Sequence, residues 1–459
     1  MSTAPSEVAA DVLRCDVLVI GAGMAGLTAG ARAARDGRTV AVVEIGYDVG
    51  GSARFAGYAW TAPTREVMDE VNPRGDPALR RALVDRFGAG IEWIRSVGVE
   101  CRDAVPILRF GRGHQFDTNQ YVDNCRRLIT EAGGQVWTRT RTHRLLTEGG
   151  AVIGAVIGAE VERSDGSRHE VRATWTVLAT GGFQGDPDLV DARIHPRASR
   201  MPLRSSRTST GGGLRLALGA GAATGVANAG FYGHLIPSGI AFAGPEDFVD
   251  LSLYYSEHAL LFNLRNERFV DETEGDHLTT MALLDQPEGR GLLIADARVH
   301  RDWIVGSYVE GAVAVDKYAL ASRRGGRVGL AETLDELDYL PEEWGYDGAT
   351  IHARIREYNE EAAAGGSLRP GRRFDAAPLD EGPYYVIECV PALTFPFHGI
   401  LIDDRARVLG QDGAPIPGLL CAGSDTGGLY DRAYAGGLAS ALVFGLTAAE
   451  TAAGAPGRS

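Results

Sequence analysis

The residues with the clearest chemical signature are the glycines in the run from Gly21 to Gly26, which reads Gly-Ala-Gly-Met-Ala-Gly. In a GxGxxG loop the first glycine allows a tight turn and the second lets backbone N–H groups approach a pyrophosphate. The third permits close packing of a helix on a strand. Glu44 follows at roughly the 20-residue distance at which a carboxylate takes the ribose hydroxyls. These residues predict the binding of a dinucleotide.

The segments around this loop have the patterns needed to position it. Residues 15–20 form a short, largely apolar run that contains the β-branched Val17, Val19 and Ile20, which predicts a buried parallel strand. Residues 27–37 predict a helix with small residues towards the sheet, and residues 39–44 predict a second strand that ends at Glu44. A glycine-rich turn without a ligand is the alternative, and the complete strand–loop–helix–strand unit disfavours it.

Three further glycine-rich segments extend the pattern along the chain. Gly50-Gly51-Ser52 follows the second strand, an apolar strand runs into Thr180-Gly181-Gly182, and another runs into Gly423-Ser424. This spread predicts one extended cofactor held by a discontinuous domain, since a simple NAD dehydrogenase would concentrate such loops in one half. Residues 219–225 are also glycine-rich, but they follow a helical pattern and predict only a helix end. We find no second nucleotide site for NAD(P)H.

Composition limits the classes of protein that fit. With 459 residues, two domains are the default expectation. Lys plus Arg number 46 and Asp plus Glu number 60, a net charge of −14 that argues against nucleic acid as a partner. No signal-peptide pattern and no apolar run of membrane-spanning length occurs, so the sequence predicts a soluble, cytoplasmic protein.

The cysteines and histidines show no metal-ligand spacing. The five cysteines form no CxxC or CxxCH motif, which disfavours a disulfide framework, a zinc ribbon and an attached c-type haem. We expect no metal site, and we interpret the scattered histidines as structural: His114, His195, His234 and His398.

Six segments together resemble the fumarate reductase/succinate dehydrogenase flavoprotein family, and within it soluble members such as the 3-ketosteroid dehydrogenases and tricarballylate dehydrogenase. They are residues 17–30, 50–60, 177–183, 266–273, 399–404 and 417–445, in family order over nearly the whole chain. The resemblance implies FAD as the cofactor and an α/β fold. A discontinuous Rossmann-like FAD-binding domain (1–236 and 397–459) would carry an inserted α+β capping domain (237–396).

The cofactor-binding residues predicted from these motifs come from the glycine-rich loops, the acid after the second strand and one C-terminal position. They are Gly21, Ala22, Gly23, Met24, Ala25, Gly26, Glu44, Gly50, Gly51, Ser52, Thr180, Gly181, Gly182, Gly423, Ser424 and Leu438.

The family's fumarate-reducing members use cationic side chains to hold a dicarboxylate, and each of those positions differs here. The proton-donor arginine falls on Asp276, the carboxylate-binding arginine on Tyr434 and the histidine on Phe395. The relay glutamate and arginine fall on Ser252 and Tyr255. Because carboxylates need such bidentate or cationic partners, the resemblance implies an apolar ketone rather than fumarate or succinate.

By the same resemblance, Tyr434 and the backbone at Leu438 would polarise a substrate carbonyl. The candidates for the base are Asp276, His277 and Tyr255. A solvated loop is the alternative for Asp276 and His277, and core packing is the alternative for Tyr255. The implied reaction is an FAD-dependent addition or removal of hydrogen at a CH–CH bond adjacent to a carbonyl.

Two other functions stay open at this stage. An enoate reductase or polycarboxylate dehydrogenase could hold its carboxylates with Arg109, Arg112 or Arg432, and a non-catalytic flavin-binding sensor or carrier would need no catalytic residues. Trp60 matches a tryptophan of the same subgroup and could equally be a packing residue. We expect a small-molecule substrate and an electron donor or acceptor that the sequence does not identify.

Overall fold

The computed structural model describes residues 11–149, 154–226, 229–244, 247–306 and 313–454. The strands within them are β1 (Asp11–Ile20), β2 (Val40–Val43), β3 (Tyr58–Thr61), β4 (Val105–Ile107), β5 (Gly111–Gln115), β6 (Gln135–Trp137), β7 (Thr140–Glu148), β8 (Ala155–Arg163), β9 (Arg168–Leu178), β10 (Phe231–Pro237), β11 (Leu260–Asn263), β12 (Gly291–Ala295), β13 (Val328–Ala331), β14 (Tyr384–Pro396), β15 (Arg407–Leu409) and β16 (Pro415–Cys421). The helices are α1 (Met24–Arg35), α2 (Arg65–Val71), α3 (Pro77–Ser96), α4 (Thr118–Glu131), α5 (Pro187–Arg193), α6 (Gly212–Gly219), α7 (Asp247–Asp250), α8 (Asp276–Leu284), α9 (Ala297–Val299), α10 (Lys317–Arg323), α11 (Gly348–Ala363) and α12 (Gly437–Ala453).

The larger sheet has a parallel centre in the order β16-β9-β1-β2-β6. Strand β15 pairs antiparallel with β16, and the β7–β8 hairpin adds to β9. All four residues of β2 are buried, as expected for a parallel strand covered on both faces. The β1–α1–β2 unit confirms the predicted strand–helix–strand order, and β1 extends upstream to Asp11.

The central strands of this sheet end in register. Ile20 of β1 lies opposite Val43 of β2 and Leu178 of β9, and Leu178 lies opposite Cys421 of β16. The residues that follow these four ends therefore lie along one edge of the sheet, although the chain separates them widely. In open parallel sheets the carboxyl edge is where ligands bind.

Residues 231–396 supply a second sheet. Its order is β10-β14-β12-β11, with β13 also paired to the long strand β14, and all pairs are antiparallel. Strand β10 begins at Phe231, upstream of the boundary predicted at residue 237. A small third sheet has the order β3-β5-β4. The mixed α/β fold is confirmed, while the exact division into domains stays a prediction.

Helix α12 is buried along most of its 17 residues because small side chains let it approach other elements closely. A Cβ on Gly445 would lie 2.7 Å from the carbonyl oxygen of Ala25, so α12 packs directly on α1. Within the described ranges, neither α12 nor another helix has both the length and the apolar composition needed to cross a bilayer.

Substitution of Gly26 can test how closely α1 packs on the sheet. A Cβ at this position would lie 1.9 Å from the carbonyl oxygen of Gly21, so Gly26→Ala must displace the turn. We expect thermal unfolding to report a loss of about 2 kcal/mol, typical of overpacking, together with weaker cofactor uptake. Gly88→Ala is the control, since it lies exposed in α3 with no atom near its Cβ position and should leave stability unchanged or slightly raised. Equal stability of the two variants would contradict this account.

Candidate active site

A cavity of about 620 Å³ opens at the carboxyl edge of the larger sheet. Residues that follow β1, β2, β9 and β16 line it, and so do residues of the second sheet. Most of the predicted cofactor-binding residues lie in its wall: Gly21, Gly23, Met24, Ala25, Glu44, Gly50, Gly51, Ser52, Thr180, Gly181, Gly423, Ser424 and Leu438. The structure thus brings together loops from both ends of the chain.

The first glycine loop is shaped to admit a phosphate group. Gly21 has φ +103°, and a Cβ there would lie 2.2 Å from the carbonyl oxygen of Ala179, so only glycine fits. Gly23 immediately precedes α1 and offers no side chain to cap it, and the first turn of the helix lies at the cavity. Uncapped N–H groups at a helix N-terminus are suited to binding a pyrophosphate. The residues present therefore fit FAD.

Ala22 and Gly26 lie behind the cavity wall and support it. The Ala22 N–H donates to Glu44 Oε2 at 2.7 Å, and the Gly50 N–H donates to the Ala22 carbonyl oxygen at 2.7 Å. Glu44 is therefore a support of the loop as well as a residue of the cavity wall. Gly26, as described above, sets the approach of α1 to the turn at Gly21.

Asp425 ties two distant cofactor loops together, and sequence reasoning missed it. Its buried carboxylate accepts hydrogen bonds from the Thr180 N–H, from Thr180 Oγ1 at 2.9 Å and from the Gly182 N–H at 2.8 Å. Gly182, a predicted cofactor residue, thus supports the wall through this contact. The sequence could have indicated this role, because Asp425 directly follows the predicted cofactor residues Gly423 and Ser424. A carboxylate at that position can accept hydrogen bonds from nearby backbone N–H groups.

Tyr434 lies in the cavity wall among other aromatic rings. Its ring stacks on Tyr232 with centroids 3.5 Å apart and packs edge-on against Trp60 at 5.1 Å. Its hydroxyl oxygen accepts the Gly437 N–H at 2.7 Å, which leaves the hydroxyl hydrogen available to donate. Burial raises the pKa of Tyr434 to about 12, so the phenol is neutral near pH 7. Leu438, in the first turn of α12, lies beside it in the wall.

The three residues predicted as the base do not line the cavity. Asp276 and His277 begin α8 and are buried, which excludes the solvated-loop alternative. Burial lowers the pKa of His277 to about 4, and neither ring nitrogen has a hydrogen-bond partner within the described residues. Tyr255 packs in the apolar core of the second sheet, and its neighbour Tyr254 lines the cavity instead.

Asp276 nevertheless connects to the cavity through two residues that sequence reasoning did not select. Its Oδ2 is hydrogen-bonded to His234 Nδ1, and His234 Nε2 is hydrogen-bonded to the hydroxyl of Tyr232 at 2.6 Å. Tyr232 lines the cavity. The Tyr-x-His spacing in the sequence could have indicated that Tyr232 and His234 lie close together, because alternate residues of a strand point to the same face. His234, interpreted above as structural, is thus placed between a cavity residue and a buried carboxylate.

The cavity wall beside the second sheet contains one buried guanidinium group among the described residues, that of Arg204. Its hydrogen bonds go to Thr394 Oγ1 at 2.7 Å, to the carbonyl oxygen of Phe248 and to Ser252 Oγ at 2.9 Å. Within the described residues no carboxylate forms an ion pair with Arg204. Sequence reasoning missed this arginine.

The arginines named earlier as carboxylate holders lie elsewhere. Arg109 pairs with Glu257 at 2.6 Å, Arg432 pairs with Glu274, and Arg112 is exposed. None of the three is part of the cavity wall described above. Arg204, in contrast to these three, lies in the cavity wall.

Comparison with known proteins agrees with this geometry. The model of the FAD binding domain family matches residues 16–440. The chain belongs to this family. Its cofactor is therefore FAD, and the loops at the carboxyl edge of the larger sheet are those of a flavoprotein.

Individual relatives are similar over nearly the whole chain. The fumarate reductase (cytochrome) of Shewanella frigidimarina is 27% identical over 95% of this chain and 77% of its own length. The 4-oxocyclohexanecarboxylate 2-dehydrogenase of Sinomonas cyclohexanicum is 26% identical over 96% of this chain and 93% of its own. The crystal structure of the 3-ketosteroid-Δ4-(5α)-dehydrogenase from Rhodococcus jostii shares the fold, with a TM-score of 0.77, 20% identity and coverage of 98% and 99%.

These findings confirm the resemblance to the fumarate reductase flavoproteins. The protein is an FAD-dependent oxidoreductase that acts on C=C bonds. This conclusion disfavours the alternative of a non-catalytic flavin-binding sensor or carrier.

Asp425 allows a test of how the cofactor loops are held. In Asp425→Asn the side chain keeps one acceptor oxygen but loses the charge that strengthens its bonds to Thr180 and Gly182. We expect FAD affinity to fall by about 30-fold, equivalent to roughly 2 kcal/mol for weakened charge-assisted hydrogen bonds, as measured by quenching of flavin fluorescence. Asp347→Asn is the matched control, because the exposed Asp347 also accepts from a threonine N–H and hydroxyl, those of Thr350, and does not line the cavity. Unchanged affinity in Asp425→Asn would refute the assigned role.

Proposed function

We propose that this protein adds or removes hydrogen across a CH–CH bond adjacent to a ketone carbonyl. The observation that carries this proposal is Tyr434, a neutral phenol in the cavity wall whose oxygen already accepts an N–H and whose hydrogen is available. Such a donor stabilises the negative charge that develops on a carbonyl oxygen when the neighbouring C–H bond breaks.

The residues around Tyr434 would supply a second hydrogen-bond donor and keep water away from the substrate. The N–H of Leu438, at the uncapped start of α12, is a second donor to the same oxygen, since first-turn N–H groups have no partner within a helix. Trp60, Phe395 and the ring of Tyr232 surround this part of the cavity and exclude water from it. When bound, FAD supplies the two-electron chemistry of the reaction. The predicted capping domain, residues 237–396, would close over the substrate.

The balance of charge in the cavity supports a ketone over a dicarboxylate. A dicarboxylate requires two cationic clamps, and Arg204 alone provides one beside the second sheet in the described structure. The relative from Sinomonas is named for a cyclic ketone that carries one carboxylate, which is compatible with this proposal.

The reaction can be tested by the visible absorbance of the bound flavin. Under anaerobic conditions we expect a cyclic ketone, 4-oxocyclohexanecarboxylate or 4-androstene-3,17-dione, to bleach the flavin band, and succinate to leave it unchanged. Tyr434→Phe should lower the rate of bleaching by about 100-fold, because it removes one donor to the oxyanion, while FAD binding is retained. If succinate bleaches the flavin and both ketones fail, the proposal is wrong.

A second candidate function is the reduction or oxidation of a substrate that carries one carboxylate. The observation that favours it is Arg204, a buried cation in the cavity wall that has no acidic partner within the described residues. A buried charge without an opposite charge in direct contact is costly, and a substrate carboxylate would supply that contact. This revises the earlier alternative, in which other arginines held the carboxylate.

The carboxylate candidate predicts a specific preference. If Arg204 binds a carboxylate, kcat/KM for 4-oxocyclohexanecarboxylate should exceed that for its uncharged methyl ester by about 100-fold, the effect of a charge-assisted hydrogen bond of roughly 3 kcal/mol. In Arg204→Gln the ratio should approach one. Since both compounds are measured on the same variant, a general loss of activity does not change the ratio. A ratio near one in the native enzyme would reject this candidate and leave the neutral-ketone proposal standing.

A further inference from the structure

Three side chains form a continuous hydrogen-bonded path from the cavity into the interior. Tyr232 lines the cavity, its hydroxyl is 2.6 Å from His234 Nε2, and His234 Nδ1 is bonded to Asp276. His234 and Asp276 are 0% and 1% exposed, so Tyr232 is the member of this path that a substrate can reach. Strand β10 supplies the first two residues and the start of α8 supplies the third.

The interior environment sets the protonation of this path. Burial lowers the pKa of His234 well below its ordinary range, with Arg204 and Lys317 adding to the effect, so the imidazole is neutral. A neutral imidazole has one N–H and one lone pair. The assignment that satisfies both neighbours has Nδ1–H donating to Asp276 and Nε2 accepting the hydroxyl hydrogen of Tyr232.

We propose that Tyr232, supported by His234 and Asp276, is the acid–base group that exchanges a proton with the substrate carbon next to the carbonyl. This inference rests on the proposed function. The ring of Tyr232 stacks face to face on Tyr434 at 3.5 Å, so the proton-exchanging group adjoins the group proposed to hold the carbonyl oxygen. In this proposal Tyr232 is the base, a role for which the resemblance offered Asp276, His277 and Tyr255 as candidates.

The proton step balances within the residues of the path. The substrate α C–H bond breaks, and its proton moves to the oxygen of Tyr232. The hydroxyl proton of Tyr232 moves to His234 Nε2, and the Nδ1 proton moves to Asp276 Oδ2. The electron pair of the broken bond stays on the substrate as an enolate, whose oxygen Tyr434 and the Leu438 N–H stabilise. The reverse sequence delivers a proton in the direction of reduction.

The environment of Asp276 places its pKa where the carboxyl group can both gain and lose a proton near neutral pH. Burial raises its pKa to about 7, against the opposing effect of nearby cations. Its second oxygen, Oδ1, is buried and forms no side-chain hydrogen bond within the described residues, so one acceptor of the carboxylate lies outside the path. The charged and titratable groups that face it are Arg204, Lys317, His234, His277, Tyr232, Tyr254 and Glu257.

Exchange of hydrogen for deuterium tests the proton step separately from redox turnover. The oxidised FAD-bound enzyme is incubated with 4-oxocyclohexanecarboxylate, or with its methyl ester, in D2O under anaerobic conditions. NMR follows deuterium at the carbons next to the ketone. We expect the native enzyme to accelerate exchange above the buffer rate, and Tyr232→Phe and Asp276→Asn to lower the enzymatic rate by about 100-fold, within the range for general acid–base catalysis.

The pH profile separates a relay from a structural role. In the native enzyme the exchange rate should rise as pH passes through about 7, because Asp276 must be ionised to accept the proton. In Asp276→Asn this rise should disappear. Tyr358→Phe is the matched control, since it removes a buried hydroxyl bonded to the Ala377 carbonyl in the core of the second sheet and should keep rate and profile.

The outcomes distinguish the two proposals. Retention of the native exchange rate and pH profile by an FAD-bound Tyr232→Phe enzyme would overturn the relay and leave the ketone chemistry intact. A native enzyme that shows neither exchange nor flavin bleaching with 4-oxocyclohexanecarboxylate, its methyl ester or 4-androstene-3,17-dione would overturn both. Loss of exchange in Tyr232→Phe with FAD binding retained, together with loss of the rise with pH in Asp276→Asn, supports the relay.

Discussion

The whole site depends on four parallel strands that end in register. Because Ile20, Val43, Leu178 and Cys421 lie at the same level of the sheet, the loops that follow them must meet at one edge. That edge carries the uncapped start of α1 and the first glycine turn. One extended cofactor can therefore contact segments from both ends of the chain, and the C-terminal strand belongs to the same binding site as the N-terminal one.

Buried polar contacts then maintain this convergence. Asp425 joins the loop after β16 to the loop after β9, and Glu44 joins the end of β2 to the turn after β1. Each contact satisfies backbone N–H groups that a glycine-rich loop would otherwise leave unpaired, and unpaired buried N–H groups are costly. The glycines thus supply the shape of the cavity, and the two acids hold that shape.

The second sheet and the loop before α12 supply the groups that would act on a substrate. Its strand β10 presents Tyr232 to the cavity, and Tyr434, from the loop before α12, stacks on the same ring. Low exposure shifts the titratable groups away from their charged forms, as the raised pKa of Asp276 and the lowered pKa of His234 illustrate. The path from Tyr232 through His234 to Asp276 lies beside the phenol of Tyr434, and in the proposed reaction its buried carboxylate accepts the proton that leaves the substrate. The same wall contains the charge of Arg204, which is why carboxylate-bearing substrates are a separate candidate.

The sequence by itself determined the local parts of this protein. Glycine spacing, apolar runs and Glu44 predicted the βαβ unit, the cofactor class and most of the cavity-lining loops, because turn geometry and strand periodicity depend on neighbouring residues. It also selected Tyr434, from its place in a family pattern. Asp425, Arg204 and the path from Tyr232 to Asp276 depended on tertiary structure. Their partners lie far away in the chain, and whether Tyr254 or Tyr255 faces the cavity depends on how one short segment packs against the second sheet. Packing, burial and hydrogen bonding between distant segments are properties of the assembled fold, and local patterns do not encode them.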